Sequence, residues 1–162
     1  MYPDALIAKT KTLFEQLETK SWRVSCAESC TGGLIAGLFT EIPGSSNYFG
    51  RSFVTYSNRS KVDILGVPKQ LVIDHGAVSE EVACAMAQNV LNMTTASLTI
   101  AVSGIAGPGG VPGKPVGTVH MATATEAGVE HIKQNFGDLG RTNVRMATVE
   151  AAIDMLTARV QP

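Results

Sequence analysis

Trp22-Arg-Val-Ser-Cys-Ala-Glu-Ser-Cys-Thr-Gly-Gly33 decides the fold class of this chain. Residues 22–27 read as a strand: β-branched and aromatic residues punctuated by small ones, then a polar turn. Thr31 opens a helix of small residues running to Thr40, which Pro43 and Gly44 stop. A strand that passes through a short glycine turn into a helix is half of a crossover unit. That unit predicts an α/β fold.

The flanking sequence repeats the alternation. Residues 4–19 carry Leu6, Ile7, Leu13, Phe14 and Leu17 on one face, with Lys and Glu opposite, as an amphipathic helix does. Residues 48–56 read as a second strand, and Ser57 caps a short helix that ends at Gly66. Pro68 opens another helical turn, closed by His75-Gly76, and Ser79-Glu80-Glu81 starts a helix packing through Val82, Ala83, Met86, Ala87, Val90 and Leu91. An apolar run at 98–102 is a buried strand, followed by a Gly/Pro-rich loop at 104–115. Residues 116–124 and 129–136 make a hairpin around Glu126-Ala127-Gly128, and a last helix covers 142–159. No repeat or linker interrupts residues 1–162. The expectation is one domain, a three-layer α/β/α sandwich on a mixed sheet.

Composition narrows the function classes. The chain has 162 residues, enough for a sizeable core, and is 44% hydrophobic with 17% charged residues, which excludes a disordered tail. A net charge of −1 leaves no electrostatic footprint for nucleic acid or an anionic membrane, so neither is expected as a partner. No apolar run is long enough to span a bilayer, and the N-terminal residues lack a signal peptide's apolar centre. Three cysteines without CxxC spacing fit reduced thiols, hence a cytoplasmic setting, with Cys26 and Cys30 as buried packing residues.

The glycine motifs do not match the common phosphate loops. Gly107-Pro-Gly-Gly-Val-Pro-Gly-Lys114-Pro115 ends in Gly-Lys, but prolines stand where a Walker A sequence needs glycine and a hydroxyl residue. Pro112 likewise removes the third glycine of a dinucleotide fingerprint. His75, His120 and His131 show no metal-ligand spacing, and the latter two read as surface or edge residues of the hairpin. Neither a metal nor a cofactor is expected.

Two readings stay open for the turn at 28–33. Its glycines and free helix amides could receive an anion, or Ser29 or Thr31 could simply cap the helix. Ser46, Tyr56 and Lys61 supply a hydroxyl, a phenol and an amine, the set that Ser-Lys amide chemistry uses once burial neutralises the lysine. A polar loop and a capped helix would give the same residues. Arg141 and Arg145 lie one turn apart and could face a phosphate or the solvent.

AESCTGG (27–33), GSS (44–46), FVTYSNRSK (53–61), HGAVSEE (75–81), SGIAGPGG (103–110) and KPVGTV (114–119) occur in the order and spacing of the CinA C-terminal domain family. The chain resembles this family from about residue 5 to about residue 157, and in particular its nicotinamide mononucleotide (NMN) deamidases. The resemblance implies hydrolysis of NMN to nicotinate mononucleotide and ammonia, with Ser46 as nucleophile, Lys61 as base and Tyr56 in their hydroxyl network. It also implies a substrate site built from Ser29, Thr31, Gly32, Gly33, Ser103, Gly104, Gly107, Arg141 and Arg145, and a homodimer. The family's Gly-Asp-Arg is replaced by Gly137-Asp-Leu-Gly-Arg141, which moves the arginine. Longer members carry a further N-terminal domain that this sequence lacks, so an activity needing it is not expected. The alternative is a non-catalytic nucleotide-binding or partner-binding module of the same family.

Overall fold

A computed structural model describes residues 2–161. The elements are α1 (Asp4–Thr19), β1 (Val24–Glu28), α2 (Leu34–Thr40), β2 (Phe49–Val54), α3 (Asn58–Leu65), α4 (Lys69–His75), α5 (Glu80–Met93), β3 (Leu98–Gly104), β4 (Thr118–Thr125), β5 (Gly128–Asn135) and α6 (Arg141–Val160). A single 3-10 turn, Ser45–Asn47, precedes β2. The five strands form one mixed sheet in the order β2-β1-β3-β4-β5. β1 is parallel to both neighbours, and β3, β4 and β5 are antiparallel in succession.

Side-chain alternation along β1 sorts two cores to the two faces. Val24 and Cys26 join Leu13, Phe14, Leu38, Phe39, Ile153 and Leu156 in a cluster with α1, α2 and α6. Ala27 joins Leu65, Val72, Met86 and Val90 under α3, α4 and α5. The three-layer α/β/α sandwich expected from the sequence is what the chain forms. None of its helices among the described residues is long and apolar enough to cross a membrane.

One boundary and one residue's burial differ from the sequence reading, each for a local reason. α2 begins at Leu34 rather than Thr31, because Gly32 (φ +61°) and Gly33 (φ +100°) take left-handed conformations that hold the chain out of the helix. His120 is buried, and its Nδ1 lies 3.0 Å from Nε2 of His131, with the rings stacked. It therefore belongs beneath α5 and is not the surface residue that a hairpin position implies. Cys26 and Cys30 are buried free thiols, as expected.

The connections create a crevice. The chain leaves β1 through α2 on one face to reach β2, then crosses through α3, α4 and α5 on the other face to reach β3. Connections that diverge to opposite faces leave a gap at the carboxyl ends of the parallel strands, where open α/β sheets bind ligands. Ser29, Tyr56 and the loop after Ser103 all emerge there.

Candidate active site

Strand alternation explains how the turn after β1 is arranged. Glu28, its last residue, shares the face of Val24 and Cys26, against the start of α2. Ser29 emerges on the crevice side. The Glu28 carboxylate is fully buried and accepts from Thr31 Oγ1 (2.7 Å) and from the backbone N–H groups of Gly33 (2.9 Å), Ile35 (3.1 Å) and Ala36 (2.9 Å). The amides at the start of α2 thus already have an internal acceptor.

Lys61 comes from the second turn of α3, a helix fixed by the Ser57 cap on the Ser60 N–H and ended by Gly66 in the left-handed region. Its side chain is 1% exposed. The ammonium nitrogen lies 2.9 Å from Ser29 Oγ, 2.7 Å from the Thr55 carbonyl oxygen and 3.4 Å from that of Tyr56. Burial without a carboxylate partner penalises the charged form and lowers its pKa to about 8. The neighbouring Cys30 thiol is pushed up to about 12, again chiefly by burial, and so stays protonated at neutral pH.

A cleft of about 270 Å³ opens over this pair. Ser29 and Lys61 lie in it beside Asn58, Ser103 and Gly107, and Arg141 stands at its rim. Ser103 is 1% exposed and donates to the Ala77 carbonyl at 2.7 Å, tying β3 to the loop before α5. Arg141 reaches across the mouth, donating to the Gly107 carbonyl and to the Tyr56 hydroxyl, both at 2.8 Å. Three larger surface grooves, about 560 Å³ between α3 and α4, about 820 Å³ between Trp22 and the hairpin turn, and about 350 Å³ by Arg23 and Tyr48, contain neither Ser29 nor Lys61.

The residues singled out in the sequence therefore divide. Ser29, Tyr56, Lys61, Ser103, Gly104, Gly107 and Arg141 gather around the cleft. Ser46 does not. It is exposed, and its carbonyl accepts from Arg23, which precedes β1, so it sits at the amino end of the sheet. The length of β1, roughly 20 Å with its flanking residues, separates it from Lys61. The nucleophile expected at Ser46 is corrected on that ground: the hydroxyl beside the lysine is that of Ser29.

Thr31, Gly32, Gly33 and Arg145 form the underside of the turn instead of the cleft wall. Arg145 donates to the Thr31 carbonyl at 2.9 Å, and the Gly33 N–H is taken by Glu28. A phosphate site at these helix-start amides is corrected for the same reason. Asn58 is a polar cleft residue that the sequence reading missed, since it looks like an ordinary first residue of a capped helix. The signal for Ser29 was present, because Glu-Ser-Cys-Thr-Gly-Gly follows a strand directly. Nothing local ranked it above Ser46.

Comparison with known proteins agrees with this architecture. The chain is 58% identical over 109 residues to a putative competence-damage inducible protein of Symbiobacterium thermophilum, covering 67% of this chain and 26% of that protein. It is 51% identical over 139 residues to a CinA-like protein of Geobacter metallireducens, covering 85% of this chain and 33% of that one. It therefore spans about a quarter to a third of the length of these relatives. Among solved structures, the competence/damage inducible protein CihA from Agrobacterium tumefaciens superposes with a TM-score of 0.96 at 45% identity, with 99% of each chain covered. A CinA superfamily protein from Klebsiella pneumoniae gives 0.91 at 30%, with 96% of this chain and 97% of that one covered. Residues 7–160 match the CinA C-terminal domain, and the chain belongs to that family.

Proposed function

We infer that this protein is an amidohydrolase acting on the carboxamide of nicotinamide mononucleotide. The observation that carries the reading is the 2.9 Å contact between the Ser29 hydroxyl and a buried lysine whose pKa is lowered to about 8. A lysine in this state can take the serine proton near neutral pH, which the ordinary ammonium cannot. Ser29 Oγ attacks the amide carbon and its proton passes to Lys61 Nζ. The tetrahedral oxyanion collapses as Lys61 returns that proton to the departing nitrogen, so ammonia leaves and an ester on Ser29 remains. Water, deprotonated by the now neutral Lys61, releases nicotinate mononucleotide and restores the serine. Asn58 in the cleft wall offers a neutral donor for the oxyanion.

The ends of the substrate suit the ends of the cleft. A neutral lysine does not repel the cationic pyridinium, and the Tyr56 ring borders the same space. Arg141 at the rim is placed to receive the phosphate. The volume, about 270 Å³, is near the lower end of small-molecule sites, about 300 Å³, and suits a mononucleotide whose phosphate reaches solvent. The resemblance to the NMN deamidases supports the same substrate. A homodimer belongs to this reading, since β2 is an open sheet edge that ends in the exposed Val54.

The experiment is ammonia release from nicotinamide mononucleotide by purified protein, with Ser29→Ala as control. Release that needs Ser29 supports the reading. Tight binding of the nucleotide by calorimetry with no ammonia at any pH would replace it with a non-catalytic binding module. Sedimentation at micromolar protein tests the dimer.

A further inference from the structure

The cleft accounts for Ser29 and Lys61 but leaves unused the most heavily hydrogen-bonded side chain among the described residues. Glu28 is 0% exposed, yet among the described residues it makes no ion pair. Its oxygens accept from four strong donors, and the Ser52 hydroxyl (3.4 Å) and the Cys26 thiol (3.7 Å) stand at longer range. Three donors are amides of the turn and of α2, and the shortest contact is to Thr31. Thr31 is gripped a second time, because its carbonyl accepts from Arg145 of α6. Its backbone is thus fixed from two sides, two residues beyond Ser29. Gly32 follows in the left-handed region (φ +61°), a conformation that L side chains rarely adopt.

We propose that Glu28 is a positioning residue that, through Thr31 and with Arg145, holds the Ser29 hydroxyl at bonding distance from Lys61. Capping α2 alone does not require the Thr31 contact, because the three amide bonds already satisfy that helix start. The Thr31 hydroxyl and carbonyl bonds to Glu28 and Arg145 add to the backbone bonds of the segment between Ser29 and α2, in which Gly32 N–H donates to the Ser29 carbonyl (3.1 Å) and Leu34 N–H to that of Thr31 (3.4 Å). The inference rests on the Ser29–Lys61 chemistry proposed above and extends it to the groups behind it. A nucleophile displaced by about an ångström loses about a hundredfold in rate.

The test uses Thr31→Val, which keeps the shape and removes the hydroxyl, and Thr31→Ser, which restores it. Glu28→Gln is the direct variant, but it sets an NH2 group against at least one of the bound amides and so risks misfolding. Two readouts are taken on protein of known folded fraction. The first is the kcat and KM split with nicotinamide mononucleotide. The second is labelling of Ser29 by a small fluorophosphonate, followed by mass spectrometry. In that reaction an Oγ–P bond forms, fluoride leaves and the serine proton goes to Lys61. Thr31→Val is expected to lower kcat and the labelling rate together by about ten- to a hundredfold with KM within about threefold, and Thr31→Ser to recover most of both. If Thr31→Val loses melting temperature but labels at the wild-type rate, the clamp is only structural and the proposal falls. If the wild type labels at Ser29 with this dependence on Thr31 yet releases no ammonia, the clamp stands and the substrate assignment fails. No labelling of wild-type Ser29 overturns both.

Discussion

Lys61 Nζ and Ser29 Oγ meet at 2.9 Å although 32 residues separate them, because α3 and the turn after β1 converge at the carboxyl end of the sheet. Strand direction fixes this meeting. β1 and β2 run parallel, with Glu28 beside Val54, so the segments that follow both strands arrive at one edge. The Ser45–Asn47 turn precedes β2 and is left at the other edge.

The two serines therefore separate cleanly in a mutational test. Ser29→Ala removes the proposed nucleophile and is expected to lower kcat by at least about 10³-fold, leaving substrate binding within a few-fold. Ser46→Ala is expected to stay within about twofold of wild type, because Ser46 touches the site only through the length of β1. Initial rates of ammonia release at saturating nucleotide decide between them. Loss of turnover in Ser46→Ala alone would reverse the assignment.

The pH dependence should report the lysine. With its pKa lowered to about 8 by burial, Lys61 is neutral in about a tenth of molecules at pH 7 and about half at pH 8. The catalytic efficiency is expected to rise with pH along a limb centred near 8 and then level off. Lys61→Arg, which cannot deprotonate in this range, should abolish that limb together with the activity. A profile in which activity declines from pH 6 to 8 would exclude the lysine as base.

How much of this was legible in the sequence follows from which signals are local. The strand–turn–helix at 22–40, the Ser57 cap and the apolar faces of α1 and α5 are written in neighbouring residues, and the sandwich followed from them. The pairing of Ser29 with Lys61 depends on β1 and β2 being adjacent and parallel, which no short window encodes. Two serines thus have equal local standing; the resemblance points to Ser46, and the fold sets Ser29 beside the lysine. Arg141 and Arg145 show the same limit. Their spacing puts them on one helical face, but the fold sends one to the Gly107 carbonyl at the rim and the other to the Thr31 carbonyl beneath the turn.

Gly104 tests how tightly the cleft wall is packed. A Cβ there would stand 2.6 Å from a Val119 methyl and 2.9 Å from the Thr118 carbonyl oxygen. Backbone cannot yield cheaply, so Gly104→Ala should destabilise the fold by about 1–3 kcal/mol and displace the neighbouring Ser103. Urea denaturation checks the first part, and a matching fall in kcat the second. An unchanged midpoint would show that β3 and β4 can part at this point.

Stability should carry its own mark of Lys61. Its folded pKa, about 8, is below the unfolded value of 10.5, so between these pH values the unfolded chain holds a proton that the folded chain lacks. Stability from this group therefore rises with pH across that window, by about 3 kcal/mol in total. Cys30 acts in the opposite sense: its thiol is raised from 9.0 to about 12, so its contribution falls as pH climbs above 9. The difference between wild type and Lys61→Met isolates the lysine. Wild type is expected to gain on the variant from pH 8 to 10.5, measured by denaturant midpoints, and parallel curves would mean that Lys61 is not desolvated.

Substrate choice should divide the two arginines. Arg141 is exposed at the cleft mouth, and its bonds to the Tyr56 hydroxyl and the Gly107 carbonyl hold the guanidinium over the opening. A phosphate arriving there would meet a charged donor, which is worth about a tenfold to hundredfold gain in affinity. Arg141→Ala is therefore expected to raise KM for nicotinamide mononucleotide by that factor and to leave the unphosphorylated riboside nearly unaffected, so that the preference between them collapses. Arg145 is held against the Thr31 carbonyl and does not line the cleft. Arg145→Ala should lower kcat for nucleotide and riboside alike and leave the preference intact, because it loosens the turn that carries Ser29. The readout is kcat and KM for both substrates in both variants. If Arg145→Ala narrows the preference and Arg141→Ala does not, the phosphate lies beneath the turn after all, and the rim arginine serves only to tie Tyr56 to the loop.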